Sequence, residues 1–171
     1  MRLRYFAPLV LACPLFLFLH FQKKHTVRQD NLVLSSAVEG QLLDNGKPVA
    51  EQKVTRTLHW NMQAEPYTEI TTTNEDGLFQ FPEVRGAAEF GILAKLFHVP
   101  TVSIRIFVPV KDVEHMAYAN SRNSYNESVE TGLPLIRLFC DLKDREIFDD
   151  RLPVINCTVE ESEERKALKY D

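Results

Sequence analysis

Apolar and polar positions alternate along the chain from about residue 37, with the two-residue period of β-strands. The segment 101–108 shows this best, because Val102, Ile104, Ile106 and Val108 all fall on one face. About eight segments of strand length, bounded by turn residues and spaced by about ten residues, follow one another to residue 159. No convincing core helix interrupts them. The pattern therefore predicts an all-β fold, a two-sheet β-sandwich.

Two pairs of turn residues predict β-hairpins. Asn45-Gly46 follows the alternating segment 37–43 and suits a tight turn, because both residues tolerate a positive φ. Asp76-Gly77 separates the β-branched run 68–73 from the segment 78–82. We expect the strands on either side of each turn to pair with one another.

Arg56 interrupts the apolar face that Val54, Leu58 and Trp60 form on the next predicted strand. Its charged head must either reach the edge of the sheet or meet an acid. The first arrangement is favoured, since a long apolar stem allows the head to stay in water. Trp60 is expected in the core rather than as a platform for a ligand.

The N-terminal segment differs from the rest of the chain. Residues 5–21 (YFAPLVLACPLFLFLHF) carry no formal charge and lie between basic flanks. A long signal-peptide core and a short membrane-spanning helix both fit this length. No small-x-small pair follows the run, which favours an uncleaved helical anchor over a cleaved signal. Cys13 could alternatively accept a lipid.

These observations predict four parts. They are a membrane-targeting segment with basic flanks (1–29), a linker (30–36), a β-sandwich domain (37–159) and a charged, solvated tail (160–171).

Charge is distributed unevenly. Residues 1–29 hold five of the 20 Lys and Arg and none of the 24 Asp and Glu, so the remainder has 15 cations against 24 acids. An acidic domain repels phosphate backbones, and no cluster of basic and aromatic residues follows the N-terminus. We expect no nucleic-acid partner.

The motifs of common chemistries are missing from the sequence. There is no Gly-x-Ser-x-Gly elbow, the six Gly are scattered singly, and His and Cys lack the close spacing of zinc ligands. The acidic turn 74–77 lacks the spaced oxygens of a calcium loop. We therefore expect no catalysis, no cofactor and no metal site.

Cys140 and Cys157 form an even pair in a small domain behind an export signal. Such a pair predicts one disulfide in an oxidising compartment. The alternative is two unpaired buried thiols in a domain that faces the cytosol.

A polar segment at 118–128 (YANSRNSYNES) is the best candidate for recognition. It is rich in amides and hydroxyls, and Arg and Tyr are favoured at binding hot spots. The alternative is an ordinary loop with its Tyr rings packed on the edge of the sandwich. The candidate residues are Tyr118, Asn120, Arg122, Asn123 and Tyr125.

The residues around the two turns resemble the carboxypeptidase regulatory-like domains. The resemblance covers about 37–84 and is carried by Val38-x-Gly40, Asn45-Gly46-Lys47-Pro48-Val49 and Thr71-x-Thr73-Asn74-Glu75-Asp76-Gly77-x-Phe79-x-Phe81-Pro82. It implies a transthyretin-like, immunoglobulin-like sandwich.

A longer stretch, about 37–159, resembles an uncharacterised bacterial family, domain of unknown function 6795. The features that carry it are 56–60, 73–82, 118–125, 135–142 with Cys140, and 155–158. A Gly-Lys-Tyr turn before Tyr118 is missing here. The resemblance implies an architecture and an envelope context, but no reaction.

Together these features predict a single-pass protein of the bacterial inner membrane with its β domain in the periplasm. It is expected to bind a protein or another envelope component through its loops, without catalysis. Alternatives are an immunity protein against a toxin delivered to the periplasm, an accessory domain that presents substrate or polysaccharide to an enzyme, and a secreted or periplasmic protein released by signal cleavage.

Overall fold

The computed structural model describes residues 26–91 and 98–167. These ranges are mostly β-strand, as the alternation predicts, and the predicted N-terminal helix and anchor at 5–21 lie outside them. No helix within the described ranges has the length and apolar character needed to cross a membrane. The strands are β1 (Thr26–Ser35), β2 (Ala37–Asp44), β3 (Lys47–Pro48), β4 (Lys53–Trp60), β5 (Tyr67–Thr72), β6 (Leu78–Phe81), β7 (Val84–Gly91), β8 (Val102–Val110), β9 (Val113–Arg122), β10 (Leu135–Asp141), β11 (Arg145–Glu146), β12 (Val154–Ile155) and β13 (Thr158–Val159).

The largest sheet has six strands in the order β11-β12-β9-β8-β4-β5. Its inner face is built on β8, where Val102, Ile104, Ile106 and Val108 are fully buried, as predicted. Strand β8 lies antiparallel between β4 and β9, so these side chains are covered by the neighbouring strands as well as by the opposite sheet. Trp60, at the end of β4, is in the core as expected.

The second sheet is mixed and has β2 at its centre. One side of β2 pairs in parallel with β10, which pairs in turn with β13. The other side pairs antiparallel with β6 and then with β3. Val38 and Leu42 of β2 and Phe79 and Phe81 of β6 turn inward and share one apolar core with the six-stranded sheet.

Strand β1 corrects the predicted linker at 30–36. It pairs antiparallel with β7, and Leu32 and Leu34 are buried in the common core. Residues 26–35 therefore belong to the β-domain, although residues 26–29 were assigned to the membrane-targeting segment. The pattern missed this strand because its register shifts between Gln29 and Leu32, where Asn31 adopts a φ of 60°.

Of the two predicted hairpins, only the first forms. Asn45 and Gly46 have φ values of 52° and 76°, and Leu43 pairs with Pro48 across the turn. The second prediction is wrong: β5 pairs with β4, whereas β6 pairs with β2 in the other sheet. The Asp76-Gly77 turn carries the chain between sheets, because Phe79 and Phe81 gain burial against β2 rather than against exposed β5.

The predicted solvated tail is also corrected in part. Ser162 N–H donates to the Thr131 carbonyl at 3.0 Å, and Arg165 Nη1 donates to the Val129 carbonyl at 2.6 Å. A short helix, α1 (Glu163–Ala167), follows. Residues 160–167 therefore pack on the loop that leads into β10.

Candidate functional site

The structure separates the five predicted recognition residues. Tyr118, Asn120 and Arg122 lie within strand β9 rather than in a loop. Tyr118 and Arg122 are buried, with 7% and 2% of their surface exposed. Only Asn123 is fully at the surface, and Tyr125 is half-buried. The five residues therefore do not lie together on one exposed loop, and their role in recognition stays a prediction.

Arg122 is an internal anchor. Its Nη1 donates to Glu130 Oε1 at 2.9 Å, and neither side chain has any exposed surface. Its Nε donates to the Ser124 carbonyl at 2.8 Å, and Nη2 donates to the Asn126 carbonyl. Desolvation lowers the pKa of the Arg122 guanidinium, and the Glu130 carboxylate opposes this shift. Arg122 thus fixes the backbone of the segment after β9.

Glu130 extends this contact to the corner between β1 and β2. Its Oε1 accepts the Ser36 N–H at 3.0 Å and its Oε2 accepts the Ser36 hydroxyl at 2.8 Å. Arg56 Nη1 reaches the same corner and donates to the Ser36 carbonyl and the Ser35 hydroxyl, each at 3.3 Å. A buried polar network therefore joins β4, the β1–β2 corner and the segment before β10.

Arg56 corrects the expectation that its head reaches solvent. Its side chain is completely buried, forms an ion pair with Glu69 of β5, and donates to the Pro82 carbonyl at 2.6 Å. Desolvation lowers the pKa of its guanidinium, and Glu69 opposes this shift. The sequence pattern offered an acid as the alternative partner, and the register of β4 and β5 supplies it by placing Arg56 opposite Glu69.

Tyr125 connects Trp60 and His98 near the end of the six-stranded sheet, where Trp60 and Arg122 both pair with Val102. Its hydroxyl accepts from Trp60 Nε1 at 3.0 Å and lies 2.9 Å from His98 Nε2. The ring of His98 packs on Phe90 with centroids 4.9 Å apart. Tyr125 therefore acts as a packing and hydrogen-bonding residue, which is the alternative reading of the segment.

A polar cavity of about 460 Å³ lies between β9 and residues 155–161. Tyr118 and Asn120 line it, beside Glu130 and Glu161. Burial raises the pKa of the Tyr118 hydroxyl to about 12, and Asn120 Nδ2 donates to that oxygen at 2.9 Å. A hydroxyl held protonated at neutral pH binds polar groups but is a poor nucleophile.

The predicted disulfide is present beside this cavity. Cys140 of β10 and Cys157, between β12 and β13, are bonded with their Cα atoms 4.3 Å apart. The bond holds the last strands on the mixed sheet, where Leu138 pairs with Val159. No group of three or more His, Cys, Asp or Glu that could hold a metal ion occurs in the part of the chain described.

Strand β5 offers an open sheet edge that sequence reasoning missed. Among the described residues it pairs only with β4, and it contains no Lys, Pro or register shift. Ile70 and Tyr67 are 58% and 43% exposed. Two cavities of about 500 and 400 Å³ adjoin along the gap between β5 and β6, and both are lined by Thr71, Glu39 and Gln80.

Comparison with known protein families gives a match to a family model. The model of a family described as "Domain of unknown function (DUF6795)" matches residues 38–145. This range includes Cys140 and the five candidate recognition residues but ends before Cys157. No curated protein and no solved structure matches the chain. The resemblance to carboxypeptidase regulatory-like domains gains no support from these comparisons.

Proposed function

This chain belongs to the DUF6795 family, and we propose that it is a membrane-tethered, exported binding module that acts without catalysis. The partner is a protein that adds an extended segment to the open edge of β5. The observation that carries the proposal is this edge, because unpaired backbone groups of an edge strand are a template for another strand.

The chemistry of β5 supports a binding role. Natural edge strands are protected by charges, Pro, bulges or short length. The only charge in the six residues of β5 is Glu69, and its carboxylate is paired with buried Arg56. The edge therefore presents Ile70 and the Thr side chains without an unpaired charge. An extended peptide would gain backbone hydrogen bonds here and place side chains in the groove beside β6.

The proposal also includes the cellular compartment and the assignment of the β-domain to the transthyretin-like sandwiches. The Cys140–Cys157 bond supports an oxidising compartment, and the charge-free run at 5–21 supports a tether in the inner membrane with the domain in the periplasm. The transthyretin-like assignment rests on the sequence pattern around the turns at Asn45-Gly46 and Asp76-Gly77.

Photo-crosslinking tests the binding role. A photoreactive amino acid at position 72 of the full-length chain, in its native membrane, should label a specific protein. Ile70→Lys should remove that product, because the new charge would have to be desolvated at the strand interface. Val113→Lys is the matched control: Val113 is 51% exposed but lies at the β8–β9 turn, so the product should persist.

Equal labelling by the photoreactive chain and by its Ile70→Lys and Val113→Lys variants would overturn the proposal that the partner binds the β5 edge. If no protein is labelled and a sugar array binds the domain, the accessory role in polysaccharide presentation replaces this one. Identification of the labelled partner as a delivered toxin would specify the binding module as an immunity protein.

A further inference from the structure

The outer face of the six-stranded sheet carries a cavity of about 580 Å³, remote from the β5 edge in the strand order. It lies over β8, β9 and β12, and the connection between β11 and β12 forms its wall. Its volume is in the range of small-molecule sites, roughly 300 to 1,000 Å³. Residues that line it include Arg105, Met116, Ala119, Phe148, Arg151 and Leu152.

The floor of this cavity is apolar because of strand register. Ala119 pairs with Arg105 and Met116 pairs with Val154, so Ala119, Met116 and Val154 supply small and apolar side chains beside the arginine on the outer face. The wall adds Leu152, which is 55% exposed. Apolar surface is therefore left open to solvent on the side of the sheet that does not form the core.

Two arginines at this cavity have no acidic partner among the described residues. Arg105 makes no hydrogen bond or ion pair with the described residues, and Arg151 lies over the Phe148 ring at 3.7 Å without an ion pair. Asp149 and Asp150, next in sequence to Arg151, do not pair with it. Most other arginines of the described ranges are paired with acids, namely Arg28, Arg56, Arg85, Arg122, Arg137 and Arg165.

The domain is acidic, so two arginines without an acidic partner in the described part of the chain stand out on its surface. Residues 30–171 have 15 Lys and Arg against 24 Asp and Glu, so acids to pair with these arginines are abundant elsewhere on the surface. Arginine also presents a planar fork that matches a carboxylate with two parallel hydrogen bonds. The ring of Phe148 restricts the guanidinium of Arg151, which lowers the entropy lost when it binds an anion.

We propose that this cavity binds an amphipathic carboxylate. Arg105 and Arg151 receive the carboxylate, and Met116, Ala119 and Leu152 contact an apolar chain next to it. The site is independent of the β5 edge and requires no catalysis. A fatty acid and the C-terminus of a peptide that ends in an apolar residue share this chemistry.

Ligand titration of the full-length chain in nanodiscs of zwitterionic lipid tests the proposal, with empty nanodiscs as the blank for partition into the bilayer. The probes are octanoate, N-acetyl-leucine, 1-octanol and octylammonium. At least one carboxylate should bind about tenfold more tightly than octanol and octylammonium. Tighter binding of octanoate assigns a fatty acid, and tighter binding of N-acetyl-leucine assigns a peptide C-terminus.

The variant with Arg105→Gln and Arg151→Gln should lose about tenfold or more of this affinity. Arg137→Gln is the matched control, since it removes an exposed arginine from β10 in the other sheet. Equal affinity of the double variant and the control would overturn the site, as would binding of octanol as tight as that of the carboxylates. The disulfide and the thermal midpoint of each variant report whether it is folded.

Discussion

Arg122 and Glu130 form an ion pair of 2.9 Å in which both side chains are completely shielded from solvent. The pair joins the end of β9 to the segment before β10, and Glu130 carries the connection on to Ser36 at the β1–β2 corner. The pair and its contacts therefore tie the end of β9 and the nearby segment before β10 to the β1–β2 corner, which lies 94 residues from Glu130 in sequence.

Glu130→Gln should destabilise the domain by about 3 to 5 kcal/mol, because it leaves the charge of Arg122 buried without a counter-ion. Chemical denaturation followed by tryptophan fluorescence of Trp60 measures the change. Glu127→Gln is the control: its ion pair with Arg85 is exposed and screened by solvent, so its loss should change the stability very little. Similar losses for the two variants would show that burial does not decide the value of this pair.

Removal of the disulfide should cost about 3 kcal/mol on the chain-entropy estimate, because the bond restricts the unfolded chain between positions 17 residues apart. Cys157→Ser and Cys140→Ser should lower the denaturation midpoint by similar amounts. In a Cys13→Ala background, exported protein should accept a thiol label only after reduction. Full labelling without a reductant would contradict the paired state.

Two glycines with similar backbone angles should respond differently to alanine. Gly46 and Gly77 have φ values of 76° and 72°, so each substitution carries the cost of a left-handed residue, about 1 to 2 kcal/mol. An added Cβ at Gly46 meets nothing within 4 Å, whereas at Gly77 it lies 2.3 Å from the Leu42 carbonyl oxygen. Gly77→Ala should therefore have the lower midpoint of urea denaturation. Equal midpoints would contradict the steric argument.

Asp141 should make part of the stability depend on acid pH. Its carboxylate accepts the N–H groups of Lys143 at 3.0 Å and of Asn45 and Gly46 at 2.9 Å. These bonds, led by that of Lys143, lower the pKa of Asp141 below its ordinary value of 3.8. The unfolded state then binds the proton more readily, so this stability is present above pH 3.8 and is lost as the pH falls further.

Asp141→Asn should make the stability of the domain depend less on pH in the acid range. Denaturation midpoints measured across the acid range should fall less steeply below pH 3.8 for the variant than for the natural chain. Asp144→Asn is the control, because Asp144 is exposed and its side chain makes no contact of this kind. Parallel pH profiles for Asp141→Asn and the natural protein would contradict the role of the turn contacts.

Local pattern was sufficient to predict the strands whose residues alternate without interruption. The buried face of β8, the hairpin at Asn45-Gly46 and the core position of Trp60 depend on period and turn geometry, which neighbouring residues determine. Strand β1 escaped prediction because Asn31 shifts the register within it. The position of β5 at the edge of its sheet was not predicted either, since only the completed sheet shows which strand lacks a neighbour.

The amino-acid sequence by itself determined the all-β class, the acidic balance of the domain and the cysteines available for a bond. Only the tertiary structure decided that Arg56 and Arg122 lie inside and that β6 joins β2. The physical reason is that a buried charge is tolerated only with a partner, and strand pairing and chain reversal decide which acid lies within reach. Glu69 is 13 residues from Arg56, Glu130 is 8 from Arg122, and Glu130 also binds Ser36, 94 residues away. The alternation of neighbouring residues does not reveal such contacts. Tyr118 and Arg122, residue types that are typical of binding loops, are therefore buried in the structure although the sequence pattern placed them in a candidate loop.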